Sequence, residues 1–502
     1  MLFSSHIFIL LFLPAALLVY LLLERHQRDT WSLGWLVLAS LFFYGWWSPP
    51  YVLLILISMG VNFRMGALLS RLSLRDPGKS RLLLFAAIGL NLALLGYYKY
   101  WNFLLENLGW ITGTEFKTAS IFLPLGISFF TFQQIAYLVD AHQRQTEEYD
   151  VLRYALFVTF FPQLIAGPIV HHAEMLPQFA RRAAQRIRPE MLAAGSALFA
   201  VGLCKKVVIA DGLAPIADSA FGLAGKGQAI PLVDAWSGTL AYTFQIYFDF
   251  SGYSDMAVGL GWMFGIVIPI NFFSPYKAGN IIEFWRRWHM TLSRFLRDYL
   301  YIPLGGNRRG EAHRYVNLML TMLLGGLWHG AGWTFVIWGG LHGLYLAINH
   351  LWQALLWRQG APSGRATGLY WPSRALTVLA VVVAWVFFRS DSWQAALHML
   401  EGLAGASGTG TWAGGLSWDS PMILLAIAFL LAWFAPNTME WLTASGTVTH
   451  PQVHAPQARY PQWLLWRPTR PWALAMGVAT VVGILYAVRD LQLESPFLYF
   501  QF

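Results

Sequence analysis

Two histidines lie in stretches of this sequence where an ionisable side chain is expensive. His329 belongs to the apolar segment 314–343, about 14 residues beyond a basic loop, which places it roughly 20 Å along a helix at 1.5 Å per residue. Ionisable residues at such a depth in a membrane are rare and mark functional sites. A buried imidazole favours its neutral form, which can accept a proton from a hydroxyl near neutral pH. We therefore expect His329 to be a functional residue, with a structural hydrogen bond as the alternative.

The second histidine, His289, lies in the basic segment 271–310. Large apolar residues recur there at helical spacing, namely Phe284, Trp288, Leu292, Phe295 and Tyr299. The spacing predicts one amphipathic helix at the cytoplasmic interface, or dipping into the membrane, that ends at Pro303. His289 shares a face with Trp285 and Leu292, so its imidazole should point towards the apolar side.

Four arginines lie between these apolar positions: Arg286, Arg287, Arg294 and Arg297. The simplest explanation is that cytoplasmic loops are enriched in Arg and Lys. The alternative is that some of the four bind the phosphates of an anionic cofactor.

The segment around His329 contains further unusual residues. Small residues flank the histidine, which should let a ligand or a neighbouring helix approach closely: Gly325, Gly326, Gly330 and Gly332. His342 is a weaker candidate for chemistry, because its segment should carry it back towards the cytoplasm.

Polar side chains also interrupt two other apolar segments. Asp249 and Asp255 in YFDFSGYSD are more simply partners of Arg, Lys or backbone groups than direct catalysts. Gln133, Gln134 and Asp140 are expected to line a cavity or to form hydrogen bonds between helices.

The composition indicates the class of protein that holds these residues. Of 502 residues, 57% are hydrophobic and only 12% are charged, which excludes a soluble globular protein of this size. The first apolar stretch, 2–23, has the features of a retained span rather than a signal peptide. The net charge of +9 does not indicate nucleic-acid binding, because the basic residues lie in short loops. The single cysteine, Cys204, excludes an internal disulfide and a cysteine-based metal cluster.

The positions of Arg and Lys predict the topology. Loops 64–81, 181–188, 277–314 and 450–470 should be cytoplasmic, whereas 221–234 and 400–421 should be external. An odd number of apolar segments separates the first two loops, so one segment cannot cross fully. We expect 154–170 to be broken beside a membrane-embedded cavity, because it contains Pro162, Gly167 and Pro168. The total is about 11 to 13 hydrophobic elements, not all of them complete spans.

Four long motifs resemble those of the membrane-bound O-acyltransferase family, and in particular its bacterial branch that includes alginate O-acetyltransferase and the teichoic acid D-alanyl transferase. In chain order they are PLGISFFTFQQIAYLVD, YFDFSGYSDMAVG, FWRRWHMTLSRFLRDYLYIPLGGNRRG and LWHGAGWTFVIWGGLHG; the closing FLYFQF is also similar. The resemblance implies an all-α polytopic fold in a bacterial inner membrane, with helices around a central tunnel. It is expected to be a single domain over 1–502, with N-terminal helices in 1–120, a catalytic core in 121–345 and C-terminal helices in 346–502.

The resemblance also implies roles for residues and partners. His329 matches the family's invariant catalytic histidine and His289 its second motif position. The implied reaction transfers acetyl from cytoplasmic acetyl-CoA, without a metal, towards a hydroxyl of an exported polysaccharide, most simply alginate. A separate periplasmic acetyltransferase of SGNH-hydrolase-like fold would complete the transfer beside the polysaccharide export machinery. His329 could act as a base or relay the acyl group, while His289 could orient it or polarise the thioester carbonyl.

Two alternatives remain open from the sequence. Transfer could serve another glycan, such as cellulose or teichoic acid. The chain could instead be a non-enzymatic transporter or export-complex subunit, in which the buried histidines and aspartates form a proton or substrate path.

Overall fold

Several helices in this chain begin at a short polar side chain that caps the first turn, as the computed structural model shows. The Asp76 carboxylate accepts a hydrogen bond from the backbone N–H of Lys79 at 3.0 Å, and the Asn280 side chain accepts one from Glu283 at 2.9 Å. Asp150 caps a third helix in the same way, through the backbone N–H of Leu152. Such caps satisfy N–H groups that the first helical turn leaves without partners.

The structure describes residues 1–26, 28–146, 150–180, 188–358, 370–410, 421–453, 461–489 and 497–498. Every regular element in those ranges is helical. Parts of three predicted loops, residues 181–187, 411–420 and 454–460, lie outside the described residues, as do residues 499–502 of the C-terminal motif.

The α-helices of the first part of the chain are α1 (Leu13–Arg25), α2 (Asp29–Gly45), α3 (Pro49–Arg75), α4 (Pro77–Leu95), α5 (Trp101–Thr112), α6 (Ile127–His142), α7 (Val151–Thr159), α8 (Phe161–Leu164), α9 (His172–Ala180) and α10 (Pro189–Cys204). Those that follow are α11 (Asp211–Gly225), α12 (Leu232–Met263), α13 (Ile281–Trp285), α14 (Met290–Leu296), α15 (Glu311–His329), α16 (Trp333–Arg358), α17 (Tyr370–Arg389), α18 (Trp393–Leu403), α19 (Pro421–Phe434), α20 (Thr438–Thr443) and α21 (Arg470–Arg489). Short π-helical turns cover Phe8–Phe12, Gly96–Tyr100, Lys205–Ala210 and Arg297–Tyr301, and 3₁₀ turns cover Pro275–Lys277 and Gln462–Leu464.

Within the described ranges, six helical segments are long and apolar enough to cross a membrane: Phe8–Arg25, Pro49–Arg75, Pro77–Thr112, Pro189–Gly225, Trp371–Arg389 and Arg470–Val488. They confirm an all-α, polytopic membrane protein. The predicted 11 to 13 hydrophobic elements form a larger set, because that prediction also includes shorter and incomplete helices.

The described chain divides into two compact units. One consists of residues 1–203, 253–270 and 442–501, and the other consists mainly of residues 204–252 and 271–441. Both histidines with predicted chemistry belong to the second unit.

The broken segment predicted in the first unit is confirmed. Helix α7 ends at Thr159, α8 is a single turn, and the chain is not helical again until α9 begins at His172. Residues 154–170 are buried throughout, so the irregular backbone is enclosed by protein. The cavity expected beside it stays a prediction.

Two of the expected hydrogen bonds between helices are present in the same unit. Gln134 of α6 donates to the Ser58 hydroxyl of α3 at 3.2 Å. Asp140 near the end of α6 lies 2.9 Å from Nδ1 of His172 on α9, and both side chains are buried. These contacts confirm Gln134 and Asp140 as polar links between helices.

The prediction of one continuous helix through His289 is wrong. Helix α13 ends at Trp285 and α14 begins at Met290, and His289 between them has the left-handed backbone angles φ 42° and ψ 53°. A side chain such as histidine rarely adopts this conformation, and a right-handed helix cannot contain it. The expected burial of the imidazole is confirmed, because His289 has no exposed surface.

Candidate active site

The loop at Asn271 holds His289 in its unusual conformation. The Asn271 side-chain oxygen accepts hydrogen bonds from the Thr291 hydroxyl at 2.9 Å and from the Thr291 backbone N–H at 3.3 Å. The Asn271 backbone oxygen accepts from the N–H of Met290 at 2.9 Å. These bonds give partners to the first N–H groups of α14, where no capping side chain precedes the helix. Asn271 therefore stabilises the break that points His289 inward.

The contact with Asn271 Oδ1 determines which tautomer His289 adopts. Because Asn271 Oδ1 accepts a backbone N–H, the amide cannot be turned to present its nitrogen there. Nδ1 of His289 lies 2.9 Å from this oxygen and must be the donor. The neutral imidazole then carries its basic lone pair on Nε2.

His329 is the last residue of α15, and close packing against α16 fixes that end of the helix. A side chain at Gly326 would lie 2.3 Å from the backbone oxygen of Phe335 on α16, and one at Gly330 would overlap the Phe335 ring. These two glycines admit a neighbouring helix, which is one of the two roles expected for them.

The two histidines of the sequence prediction lie side by side. The ring centres of His289 and His329 are 6.4 Å apart, with the ring planes at 58°. This separation is too large for a direct hydrogen bond between ring nitrogens. Both side chains are buried.

Aromatic rings surround the pair. Edge-to-face contacts with His329 come from Trp338 at 5.0 Å and Phe388 at 5.3 Å, and Phe250 packs against His289 at 4.8 Å. A wall of this kind excludes water and strengthens electrostatic interactions inside it. The arrangement suits proton transfer to or from a reacting group held between two imidazoles.

The chain matches the family model of the membrane-bound O-acyltransferases over residues 5–388. It belongs to the membrane-bound O-acyltransferase family. Membership confirms the acyltransferase interpretation over the non-enzymatic transporter.

Curated members of this family resemble the chain over most of its length. A peptidoglycan O-acetyltransferase of Helicobacter pylori is 44% identical over 81% of this chain and 80% of the relative. A probable alginate O-acetylase of Azotobacter vinelandii is 39% identical over the full length of both proteins. A teichoic acid D-alanyltransferase of Bacillus subtilis is more distant, at 27% identity over 52% of this chain.

In this acyltransferase, His342 lies behind the Trp338 ring. The Trp338 and His342 ring centres are 4.8 Å apart, and Phe284 stacks on the imidazole at 6.1 Å. His342 is fully buried. It therefore contributes to the aromatic packing beside the site.

The four arginines of the predicted cofactor group differ in their surroundings. Arg287 pairs with Glu283 at 2.6 Å, and Arg297 pairs with Asp298 at 2.7 Å. Arg286 is exposed and Arg294 is half-buried. The carboxylates beside Arg287 and Arg297 would compete with a phosphate for these guanidinium groups. Arg286 is therefore a stronger candidate for phosphate binding than Arg287 or Arg297.

The structure contains a group of buried ion pairs, of which the sequence predicted only Asp249. Lys206 lies 2.7 Å from Asp211 and 2.8 Å from Asp249, and Lys206 and Asp249 are almost fully buried. This confirms Asp249 as the partner of a basic residue. Phe250, the next residue of α12, packs on His289. Asp255 is half-buried on the same helix.

Sequence reasoning missed Asn271 and Lys206. Asn271 opens the motif-rich segment 271–310, but its partner His289 is 18 residues away. The one available signal for Lys206 was a lysine pair inside an apolar stretch.

Proposed function

We propose that this acyltransferase moves acetyl from cytoplasmic acetyl-CoA across a bacterial inner membrane for O-acetylation of an exported polysaccharide. The observation that carries the proposal is the buried His289–His329 pair, with ring centres 6.4 Å apart inside an aromatic wall. Two imidazoles at that separation can act on one group held between them.

His329 is the proposed base. Its imidazole takes the proton of the acceptor hydroxyl as the oxygen attacks the thioester carbon. The carbon–sulfur bond then breaks, and the imidazolium returns the proton to the departing thiolate. Acyl relay through His329 remains the alternative step, in which the imidazole nitrogen itself attacks the carbon.

The Asn271 contact favours one role for His289. With Nδ1 donating to Asn271, Nε2 of a neutral His289 can accept a proton but cannot donate one to a thioester oxygen. His289 is thus better suited to accept a hydrogen bond from the substrate than to polarise the carbonyl.

Alginate is the first proposed polymer, because relatives named as probable alginate O-acetylases align with the full length of this chain. A separate periplasmic acetyltransferase of SGNH-hydrolase-like fold is the proposed partner that receives the acetyl group. Peptidoglycan is the second candidate, favoured by the 44% identity to the Helicobacter pylori enzyme.

Reconstituted proteoliposomes can test the proposal. Radiolabelled acetyl-CoA is supplied on the side of the basic loops, and alginate or peptidoglycan is supplied on the other side, with and without the periplasmic acetyltransferase. We expect thioester cleavage coupled to ester formation on one polymer, dependent on that partner. Absence of cleavage with every acceptor, from protein shown to be folded, would contradict acetyl-CoA as the donor.

A further inference from the structure

Two basic side chains are in direct contact near the start of the helix that ends at His329. An Arg314 guanidinium nitrogen lies 2.7 Å from Nδ1 of His350, near the end of α16. Because a guanidinium can only donate, the imidazole nitrogen must accept, and His350 is neutral in this contact. Protonation of His350 here would require an anion to offset two adjacent positive charges.

A third basic side chain contributes to the positive potential at this pair. Burial lowers the pKa of His350, and the charges of Arg314 and of Arg286, which follows α13, lower it further, while Glu311 raises it. Glu311 lies 3.4 Å from Arg314, but its side chain is 74% exposed, so the pair is weak. Arg286, Arg314 and His350 form a group that we call the basic cluster.

Helix α15 sets the distance from the basic cluster to the catalytic site. Arg314 and His329 are 15 residues apart on this helix, or about 22 Å, and lie about 60° apart around its axis. Asn317, Thr321 and Gly325 between them are buried on the same side of the helix.

We propose that the basic cluster binds the phosphates of the acyl donor while the thioester reaches His329. This inference rests on the proposed use of acetyl-CoA. The pantetheine arm has about thirteen bonds between its phosphate and its sulfur, which at the peptide repeat of about 3.5 Å per three bonds gives roughly 15 Å. An arginine and an imidazole side chain are together long enough to cover the remaining distance.

The chemistry of the basic cluster fits phosphate better than a single carboxylate. Two guanidinium groups offer several N–H donors in planar, paired arrangements that match phosphate oxygens. His350 can gain a proton when a dianionic group arrives, because the added negative charge offsets repulsion by Arg286 and Arg314.

A donor without phosphates can show whether a variant affects phosphate binding or the chemical step. The full-length protein is assayed with acetyl-CoA and with acetyl-pantetheine, which keeps the thioester and lacks the phosphates. The variants are Arg314→Gln and Arg286→Gln, and Arg75→Gln is the control because this exposed arginine lies at the end of α3, in the other unit. We expect each cluster variant to raise KM for acetyl-CoA roughly tenfold, with kcat retained and acetyl-pantetheine turnover unchanged.

The outcomes distinguish this inference from the function on which it rests. An equal loss with both donors, or an unchanged KM for acetyl-CoA in Arg286→Gln, whose exposed side chain tolerates replacement, would overturn the basic cluster as the phosphate site. Failure of the wild-type protein to cleave either donor would instead overturn the proposed function, and the phosphate site with it.

Discussion

Asn271 Oδ1 lies 2.9 Å from Nδ1 of His289 and also accepts from both the hydroxyl and the N–H of Thr291. One amide therefore sets the position and the tautomer of a buried imidazole, while it stabilises the start of the next helix. A hydrogen-bond partner that orients a functional histidine commonly has a large effect on activity, although it does not touch the substrate.

Replacing Asn271 by Ala should lower kcat by about 10- to 100-fold, because His289 loses the acceptor that fixes its tautomer. KM for the donor should change little, since Asn271 acts through the imidazole of His289. Steady-state kinetics on folded protein give the answer. Asn271→Asp, which keeps an acceptor oxygen, should retain more activity than Asn271→Ala; the reverse order would argue against the tautomer assignment.

Replacing Gly326 by Ala should destabilise the protein by about 1 to 3 kcal/mol, because the new methyl group would meet the backbone of α16 at Phe335. Thermal unfolding in detergent measures the effect. Gly60→Ala in α3 is the matched control, since a side chain there meets no atom within 4 Å. That control should be neutral or stabilising by up to about 1 kcal/mol. Equal effects at the two positions would be inconsistent with tight packing at Gly326.

Replacing Lys206 by Met should destabilise the protein by about 3 to 5 kcal/mol, because Asp249 would be left as a buried, uncompensated charge. Adding Asp249→Leu should recover part of the loss, as a double-mutant cycle would show. Arg297→Gln removes a surface ion pair and should change stability by less than about 1 kcal/mol. A Lys206→Met effect as small as that of Arg297→Gln would contradict the buried ion pair.

We predict that the stability of the folded protein depends on pH through His450. Its Nε2 donates to the Ile268 carbonyl at 2.9 Å and its Nδ1 accepts from the Gln452 N–H, so the folded protein holds it neutral. Burial lowers the pKa of His450 below its ordinary value, while the Ile268 carbonyl and Glu174 oppose this in part. The unfolded chain therefore binds the proton first as pH falls. The stabilisation is complete above about pH 6.5 and is lost progressively below it.

Thermal unfolding of the wild type and His450→Gln between pH 8 and pH 5 tests this. The wild type should lose more stability than the variant over that range. A parallel decline of the two would show that His450 does not contribute.

The sequence predicted the buried positions of His289 and His329 because apolar periodicity and the rarity of charge in membrane segments are local signals. The broken segment after α7 was likewise visible from Pro162, Gly167 and Pro168. The helix break at His289 was not, since its cause is Asn271, which reaches the histidine only through the folded loop. The role of Lys206 was not visible from the sequence either, because its partner Asp249 is 43 residues away along the chain. Long-range polar contacts of this kind override the helical spacing of nearby side chains.

Acetyl transfer by a His329→Gln variant tests the central claim most directly. The protein is reconstituted with radiolabelled acetyl-CoA and an acceptor, and label transfer is measured beside thermal unfolding. The matched control is His398→Gln, a partly exposed histidine of α18 that lies beside Glu401. We predict at least a 100-fold loss of transfer for His329→Gln, with unfolding close to that of the wild type and full activity in the control. Transfer by His329→Gln within a few-fold of the wild type would contradict the assignment of His329 as the residue that carries the chemistry.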